Sequence, residues 1–355
     1  MPATKKTYCF FTLFEKFMHQ SKTGKRLQPN GKALKKGTTR NYYFSYLLLK
    51  RFCQKEAFDL RIKPIRSLNR REIDIERNYW KKFYRKFTDY LYNDCSYFDN
   101  YVGLTIKNIR AFFNYLNKDL SMAVGEFHKL FYVPKEEIAI FPLMPEELYF
   151  LIHDKKFEDS LTKRMKDVKD FFVFGCTVAL RFSDLIALKK CNVREANGQY
   201  YLSVRSEKTS TDSLIKLPSY AVEILHRHHK VKKRLLPKFN IVNLNKFIKS
   251  LLEKAVFTQP VFVSRNKRGV AIPLKVEGNG PKPVRFCDVA STHTMRRTAI
   301  TTMLSLGIPE QLVRKISGHA PNSKEFYRYV LWSQVYQDEE TDKMFEKLNE
   351  KILIA

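Results

Sequence analysis

Apolar residues recur at helical spacing through the first third of the chain. From Ile75 they fall at Tyr79, Trp80, Phe83, Phe87 and Leu91, a stripe along one helix face. Lys81, Lys82, Arg85 and Lys86 occupy much of the remaining surface. A second stripe runs Val102, Ile106, Ile109, Phe113, Leu116, and segments near 7–20 and 38–56 have the same character. The pattern predicts a small helical bundle with an aromatic interior and a basic exterior.

Periodicity fades over about 120–145, where Pro134, Pro142 and Pro145 interrupt the run. Pro145-Glu146-Glu147 then opens a new helix, with proline and acidic residues in its first turn. Helices are expected near 145–153 and 159–180, the second with Val168, Phe171, Phe172, Gly175 and Ala179 on one side. After Leu188 the period changes. Asn197-Gly198 is a hairpin signal, Gln199–Arg205 and Ser213–Leu217 read as strands, and a small antiparallel meander interrupts the helices. Helices resume near 219–235 and 243–254, a Pro/Gly/basic stretch covers about 264–290, and helices follow near 293–305, 309–317 and 338–353.

Charge changes the picture most. Lys and Arg number 65 against 36 Asp and Glu, a formal excess of +29. A compact chain with that excess repels itself, and a polyanion relieves the repulsion by releasing counterions. Nucleic acid is the partner this implies. Lys22, Lys25, Arg26, Lys32, Lys35, Lys36 and Arg40 fall in Ser21–Arg40, a segment with three glycines and no acidic residue. That composition suits a mobile loop or strap touching phosphates, with Lys22, Lys25, Arg26, Lys35, Lys36 and Arg40 as its contacts.

Other classes are excluded. The chain has no P-loop, dinucleotide fingerprint, hydrolase elbow, H-E-x-x-H or EF-hand loop. Its six cysteines are scattered without C-x-x-C spacing, so neither a zinc site nor a disulfide scaffold is expected, and no cofactor is called for. No apolar run approaches the roughly 18 residues of a membrane span. His226, His228 and His229 lie among basic residues without a neighbouring carboxylate or cysteine, which reads as DNA contact or surface rather than a metal site.

Five local features remain: Arg181 in "ALRFSDL", Lys208 in Glu207-Lys208-Thr209, His293-x-x-Arg296, Gly318-His319, and the tyrosines of Phe326-Tyr327-Arg328-Tyr329. Each alone is weak. His293 and Arg296, three apart, share a helix face and suit a single phosphate. The order Arg…Lys…His-x-x-Arg…Gly-His…Tyr in a basic chain resembles the tyrosine recombinase (phage integrase) family, in the style of integrases of bacterial phages and conjugative elements. "ALRFSDL" is similar to that family's first arginine box, with Ala179 where glycine is more usual. "HTMRRTAITTMLSLGIPEQLVRKISGH" is similar to its second box almost throughout, and Lys208 looks like its β-hairpin lysine.

The resemblance implies a mainly α protein in two lobes. Residues 1–125 would form a helical, SAM-like core-site-binding domain, 126–140 a linker, 141–335 a mixed α+β catalytic domain with a small antiparallel sheet, and 336–355 a tail helix contacting a neighbouring protomer. It leaves no room for an arm-site domain before residue 7. It implies that Tyr329 attacks a DNA phosphorus, Arg181 and Arg296 hold the developing charge, Lys208 protonates the leaving oxygen, His293 manages the nucleophile's proton, and His319 donates to the phosphate. The family's usual spacing from the second histidine lands on Arg328, and alignment of the apolar residues favours Tyr329 over Tyr327. Double-stranded DNA, a homotetramer on synapsed sites, and accessory DNA-bending or directionality factors are the implied partners. The bacterial cytoplasm and nucleoid are the implied location. The alternatives are topoisomerase-like relaxation by the same chemistry, a DNA-binding accessory protein without catalysis, and a metal-dependent nuclease, for which no carboxylate motif is seen.

Overall fold

The computed structural model describes residues 7–205, 212–231, 233–274, 283–320 and 323–352. The chain divides into two compact units. One comprises residues 1–138 and 264–274, and the other 139–263 and 275–355.

The first unit contains β1 (Tyr8–Cys9), α1 (Phe10–Thr23), α2 (Lys36–Glu56), β2 (Arg61–Ile62), α3 (Arg70–Asp89) and α4 (Asp99–Lys118). β1 pairs antiparallel with β2, Tyr8 opposite Ile62. Asn69 starts α3 with a reciprocal capping box to Glu72, and Gly24, at φ 78°, ends α1 in the left-handed region that glycine tolerates. The core is aromatic: Phe10, Phe14, Phe17, Phe52, Trp80, Phe83, Phe87, Phe112 and Phe113 are all buried. Trp80 meets Phe113 edge-on at 4.8 Å and Phe10 meets Phe112 at 4.9 Å. The stripe on α3 begins one residue later than its pattern suggests. Ile75 is exposed, while Glu76 is buried and accepts Arg61 at 2.7 and 2.8 Å. A paired carboxylate can occupy a core-facing position that hydropathy assigns to its neighbour.

Gly103 permits a close crossing in this unit. A Cβ there would lie 2.0 Å from the Pro134 carbonyl oxygen, whereas one at Gly37 would meet nothing within 4 Å. Overpacking of roughly 1–3 kcal/mol or more outweighs the ~1 kcal/mol that alanine adds to a helix. Gly103→Ala is therefore expected to lower the urea midpoint, and Gly37→Ala to leave it unchanged or raise it.

The second unit contains α5 (Pro145–His153), α6 (Lys155–Ser160), α7 (Lys163–Val178), α8 (Phe182–Ala187), β3 (Val193–Ala196), β4 (Gln199–Arg205), β5 (Asp212–Lys216), α9 (Ser219–Arg227) and α10 (Ile241–Lys254). The strands pair antiparallel in the order β3-β4-β5. Asn197 and Gly198, both at positive φ, turn the first hairpin as expected. The chain then forms β6 (Ser264–Lys267) and β7 (Val270–Pro273), and completes the second unit with α11 (Phe286–Val289), α12 (Thr292–Ser305), α13 (Glu310–Ser317) and α14 (Tyr327–Ile352).

The hairpin β6–β7 belongs to the first unit although it is distant in sequence. Arg268 and Gly269, both at positive φ, form its turn. Buried Asp99 accepts the backbone N–H groups of Arg268 and Gly269 at 2.8 and 2.9 Å and the Tyr92 hydroxyl at 2.7 Å. Buried Glu136 accepts Arg265 Nε at 2.9 Å, Arg265 Nη2 at 2.7 Å, and the Asn266 N–H. The stretch near 264–290 thus carries a hairpin that its Pro/Gly/basic composition concealed.

Two further expectations are corrected. The tail is not a separate helix near 338–353, because α14 runs unbroken from Tyr327 to Ile352, a span with no proline or glycine to stop it. His228 is neither surface nor DNA contact. It is buried against Asp170, with Nε2 at 2.9 Å, and Arg227 grips the same carboxylate at 2.6 and 3.0 Å. A buried carboxylate needs such partners.

Burial pushes the Asp170 pKa up, but the hydrogen bonds from His228 and Arg227 outweigh it and hold the group below the ordinary aspartate value. A carboxylate depressed in the folded state contributes stability above its unfolded pKa and loses it as pH falls through the folded one. Asp170→Asn should therefore destabilise at neutral pH by roughly 3 kcal/mol or more. Its deficit should shrink as pH falls below about 4, which urea unfolding at a series of pH values measures.

Candidate active site

Four segments of the second unit converge at the end of α7. That helix ends in Ala179 at φ 55°, a left-handed position where the absent Cβ of glycine would relieve strain. The Ala179 carbonyl accepts Arg296 Nη1 at 2.7 Å. Two residues on, Arg181 occupies the N-cap of α8. α12 packs on α7 where Gly175 admits Met295, since a Cβ on Gly175 would come within 2.5 Å of its sulfur. This close packing sets the position of Arg296, the next residue along α12.

Arg296 is only 5% exposed. Burial, and then the nearby charge of Arg181, pull its pKa down to about 10, with Tyr329 and Asp184 acting in the opposite direction. Its Nη2 lies 3.1 Å from Nε2 and 3.3 Å from Nδ1 of His319. Gly318, at φ 63°, ends α13, and the His319 N–H bonds back to the Arg314 carbonyl at 2.9 Å. The imidazole packs edge-on to Phe326 at 5.2 Å and lies 5.9 Å from the Tyr329 ring, centroid to centroid.

Arg181, Arg296, His319 and Tyr329 are therefore neighbours. His293 is on the second residue of α12, exposed, three positions before Arg296. Lys208 lies outside the described residues.

The two tyrosines differ. Tyr329 is partly buried with Phe326, Ala299 and Ile300. Tyr327 is 56% exposed, and the Arg314 guanidinium carbon lies 5.4 Å from its ring centroid. Arg314, 6% exposed, bonds Glu310 through Nε at 2.6 Å and reaches the carbonyls of Ala320 and Ser323 at 3.3 and 3.4 Å. It also stacks 4.1 Å from Phe326, and so braces the segment leading to the tyrosines.

Sequence reasoning assigned no role to Arg314, Ser317, Arg297 or Arg328. Burial, and then Arg328, lower the Arg297 pKa, while Tyr329 raises it, so further guanidinium charge lies close to Tyr329. Among the described residues, Arg328 Nη2 is buried without a hydrogen-bond partner. The adjacent arginines of Met295-Arg296-Arg297 were the available signal for Arg297.

In the first unit, the expected basic strap is a closed turn. Gln28 and Gly31 N–H groups bond to the Lys32 and Gln28 carbonyls at 2.8 and 2.9 Å, and Leu27 bridges Ala33. Lys22 lies in the last turn of α1, Lys25 just beyond it, Lys35 at the N-cap position of α2, and Lys36 and Arg40 in the first turns of α2. Lys22, Lys36 and Arg40 line a cleft of about 840 Å³ with Met18, Leu34 and Tyr43. Arg26 is engaged within the unit, 3.6 Å from Asp119 and 4.9 Å above the Phe17 ring.

Neither a protein-family model nor a curated protein sequence matches the chain. Solved structures do match. The chain resembles a lambda integrase dimer bound to a COC′ core site at a TM-score of 0.59 and 11% identity, covering 92% of this chain and 78% of that one. It resembles the Tn1549 transposon integrase in complex with circular intermediate DNA at 0.55 and 15%, covering 90% and 94%. It resembles the XerH site-specific recombinase bound to palindromic difH substrate at 0.53 and 14%, covering 96% and 85%. With its two units, its mainly helical content and its small antiparallel sheets, the chain has the fold of the tyrosine recombinases.

Proposed function

We propose that the chain is a site-specific DNA recombinase of the integrase type, cutting and rejoining DNA through a 3′-phosphotyrosine. The observation that carries this reading is the gathering of Arg181, Arg296, His319 and Tyr329 from separate segments around one point. Two guanidinium charges close to each other repel, and a bound anion offsets the penalty. A tyrosine and an imidazole beside them suit an anion that reacts.

The chemistry follows from the residue types. The Tyr329 oxygen attacks phosphorus in line with the 5′ oxygen. The P–O5′ bond breaks as the P–O(Tyr) bond forms, so bond energy is conserved and rejoining needs no nucleotide cofactor. Arg181 and Arg296 offer planar, multi-donor contacts to the equatorial oxygens, and His319 adds another. His293 takes the phenol proton and Lys208 supplies one to the departing 5′ oxygen. Attack by a second strand's 5′ hydroxyl reverses the step and completes exchange.

Duplex DNA is the substrate this chemistry demands. In this reading Lys22, Lys25, Lys35, Lys36 and Arg40 hold its backbone, supported by their grouping at the end of α1 and the start of α2, where the N-terminus of α2 adds a partial positive charge. Arg26 contributes to the first unit's packing as well. The reading extends to a homotetramer on synapsed sites, with the end of α14 as a contact between protomers and accessory DNA-bending factors as optional partners.

A nicked suicide substrate tests the proposal. A short fragment bearing the attacking 5′ hydroxyl diffuses away after cleavage and leaves the covalent complex trapped. Incubation with wild-type protein and a chelator is expected to give a DNA adduct stable to denaturant and removed by protease. Cleavage that stops with the chelator and leaves no adduct indicates a metal-dependent nuclease. Binding without cleavage indicates an accessory protein.

A further inference from the structure

His319 and Tyr329, two of the gathered groups, lie on one segment of chain, and a single residue of α13 touches that segment at several points. Arg314 is 6% exposed. Its carbonyl accepts the His319 N–H at 2.9 Å. Its Nη1 reaches the Ala320 and Ser323 carbonyls at 3.3 and 3.4 Å. Its guanidinium carbon lies 4.1 Å from the Phe326 ring centroid and 5.4 Å from that of Tyr327. Phe326 is fully buried, and its ring meets those of His319 and Tyr329 at 5.2 and 5.9 Å.

Stability does not explain a charge at this position. Nε and Nη2 bond Glu310 Oε1 at 2.6 and 2.5 Å, but that carboxylate is 39% exposed and one turn away on the same helix, a pairing of small worth. Exchanging a buried ion pair for apolar packing often costs nothing, and an unbranched apolar side chain would also cover Phe326. The two carbonyl contacts are long, and each is weak by itself. What only a guanidinium supplies is shape. One rigid plane donates to Glu310 on one side and to the loop carbonyls on another, while lying over Phe326. Glu310 sets the direction of the fork, and the fork sets the loop and the ring that adjoin His319 and Tyr329.

We propose that Arg314 is a positioning residue, whose planar guanidinium holds the segment carrying His319 and Tyr329 so that Tyr329, and not Tyr327, meets the scissile phosphate. This rests on the reading of the site as a phosphoryl-transfer centre. In-line attack tolerates little error, and a displacement on the order of 1 Å costs about 10²-fold in rate. A segment released from Arg314 still reaches the phosphate, but it occupies the productive position only a small part of the time. The side chain acts through Phe326 and the loop backbone, and it need not touch DNA to do so.

The experiment uses Arg314→Met and Arg314→Lys in the full chain, with the suicide substrate at saturating concentration. Both variants are expected to melt close to wild type, to bind DNA with wild-type affinity, and to cleave about 10²-fold more slowly. Lysine keeps a charge for Glu310 but not the planar fork, so it should not restore the rate. Hydrogen exchange without DNA gives a second readout. Peptides covering 319–330 should exchange faster in Arg314→Met, and peptides from α7 and α12 at the wild-type rate. Cleavage at the wild-type rate in either variant overturns the proposal. So does exchange that is unchanged in 319–330, or that quickens equally in α7 and α12, which marks a general structural role. Weaker DNA binding with an unchanged rate at saturation would make Arg314 a DNA contact instead. If wild type itself forms no adduct, the recombinase reading falls and takes this role with it, whereas a wild-type adduct with no slowing in the variants sinks the role of Arg314 alone.

Discussion

Arg296→Met is expected to stabilise the free protein while removing most of its DNA cleavage. The guanidinium is buried beside a second arginine, and burial followed by Arg181 depresses its pKa to about 10. A displacement of that size represents a penalty on the order of 3 kcal/mol for holding the charge at neutral pH. Methionine has similar length and no charge, so it removes the penalty. It also forfeits the bond to the Ala179 carbonyl, at about 1–2 kcal/mol. The balance favours the variant, visible as a higher melting point. Cleavage should fall by roughly 10²–10³-fold, the usual effect of losing one preorganised donor to a transition state. Lower stability in Arg296→Met would mean that the guanidinium is structural. Unchanged cleavage would mean that the cluster around Tyr329 is not the reacting centre.

That opposition between stability and chemistry is why this site was partly legible in the sequence. His293 and Arg296 lie three apart on α12, a spacing that by itself suits a single phosphate. The packing that gathers the cluster was less legible. Gly175 was placed on one side of the helix with Val168, Phe171, Phe172 and Ala179, but its contact with Met295 appears only when α7 and α12 are brought together. Ala179 departs from the glycine of the resembling box, yet it takes the left-handed conformation and still orients its carbonyl to Arg296.

Elements with local causes were read well. The Asn197-Gly198 turn and the buried residues of α3 and α4 follow from neighbouring residues. Elements with distant causes were not. The strands Ser264–Lys267 and Val270–Pro273 have no alternating apolar face, and they are held by Asp99 and Glu136 from far earlier in the chain. His228 sits in a basic run, and its partner Asp170 is 58 positions away. Hydropathy patterns record which residues avoid water. They do not record which buried carboxylate has claimed a given cation.

Tyr329→Phe is expected to abolish the covalent complex and leave DNA binding and folding intact. The ring is partly buried with Phe326, Ala299 and Ile300, and phenylalanine keeps that packing while removing only the oxygen. In the proposed mechanism the phenol is the nucleophile, and the Arg296 and Arg297 guanidiniums and the His319 ring, 5.9 Å away between centroids, are its neighbours. Loss of a sole nucleophile reduces the reaction by roughly 10⁵-fold or more. Tyr327→Phe is the internal control. Two residues along a helix turn a side chain by about 200°, and Tyr327 accordingly is exposed beside Arg314 rather than packed near His319. That variant should cleave at close to the wild-type rate. Peptide mapping of the trapped wild-type complex settles the register: DNA on Tyr327 overturns the assignment to Tyr329, and the absence of an adduct on either tyrosine overturns the mechanism itself.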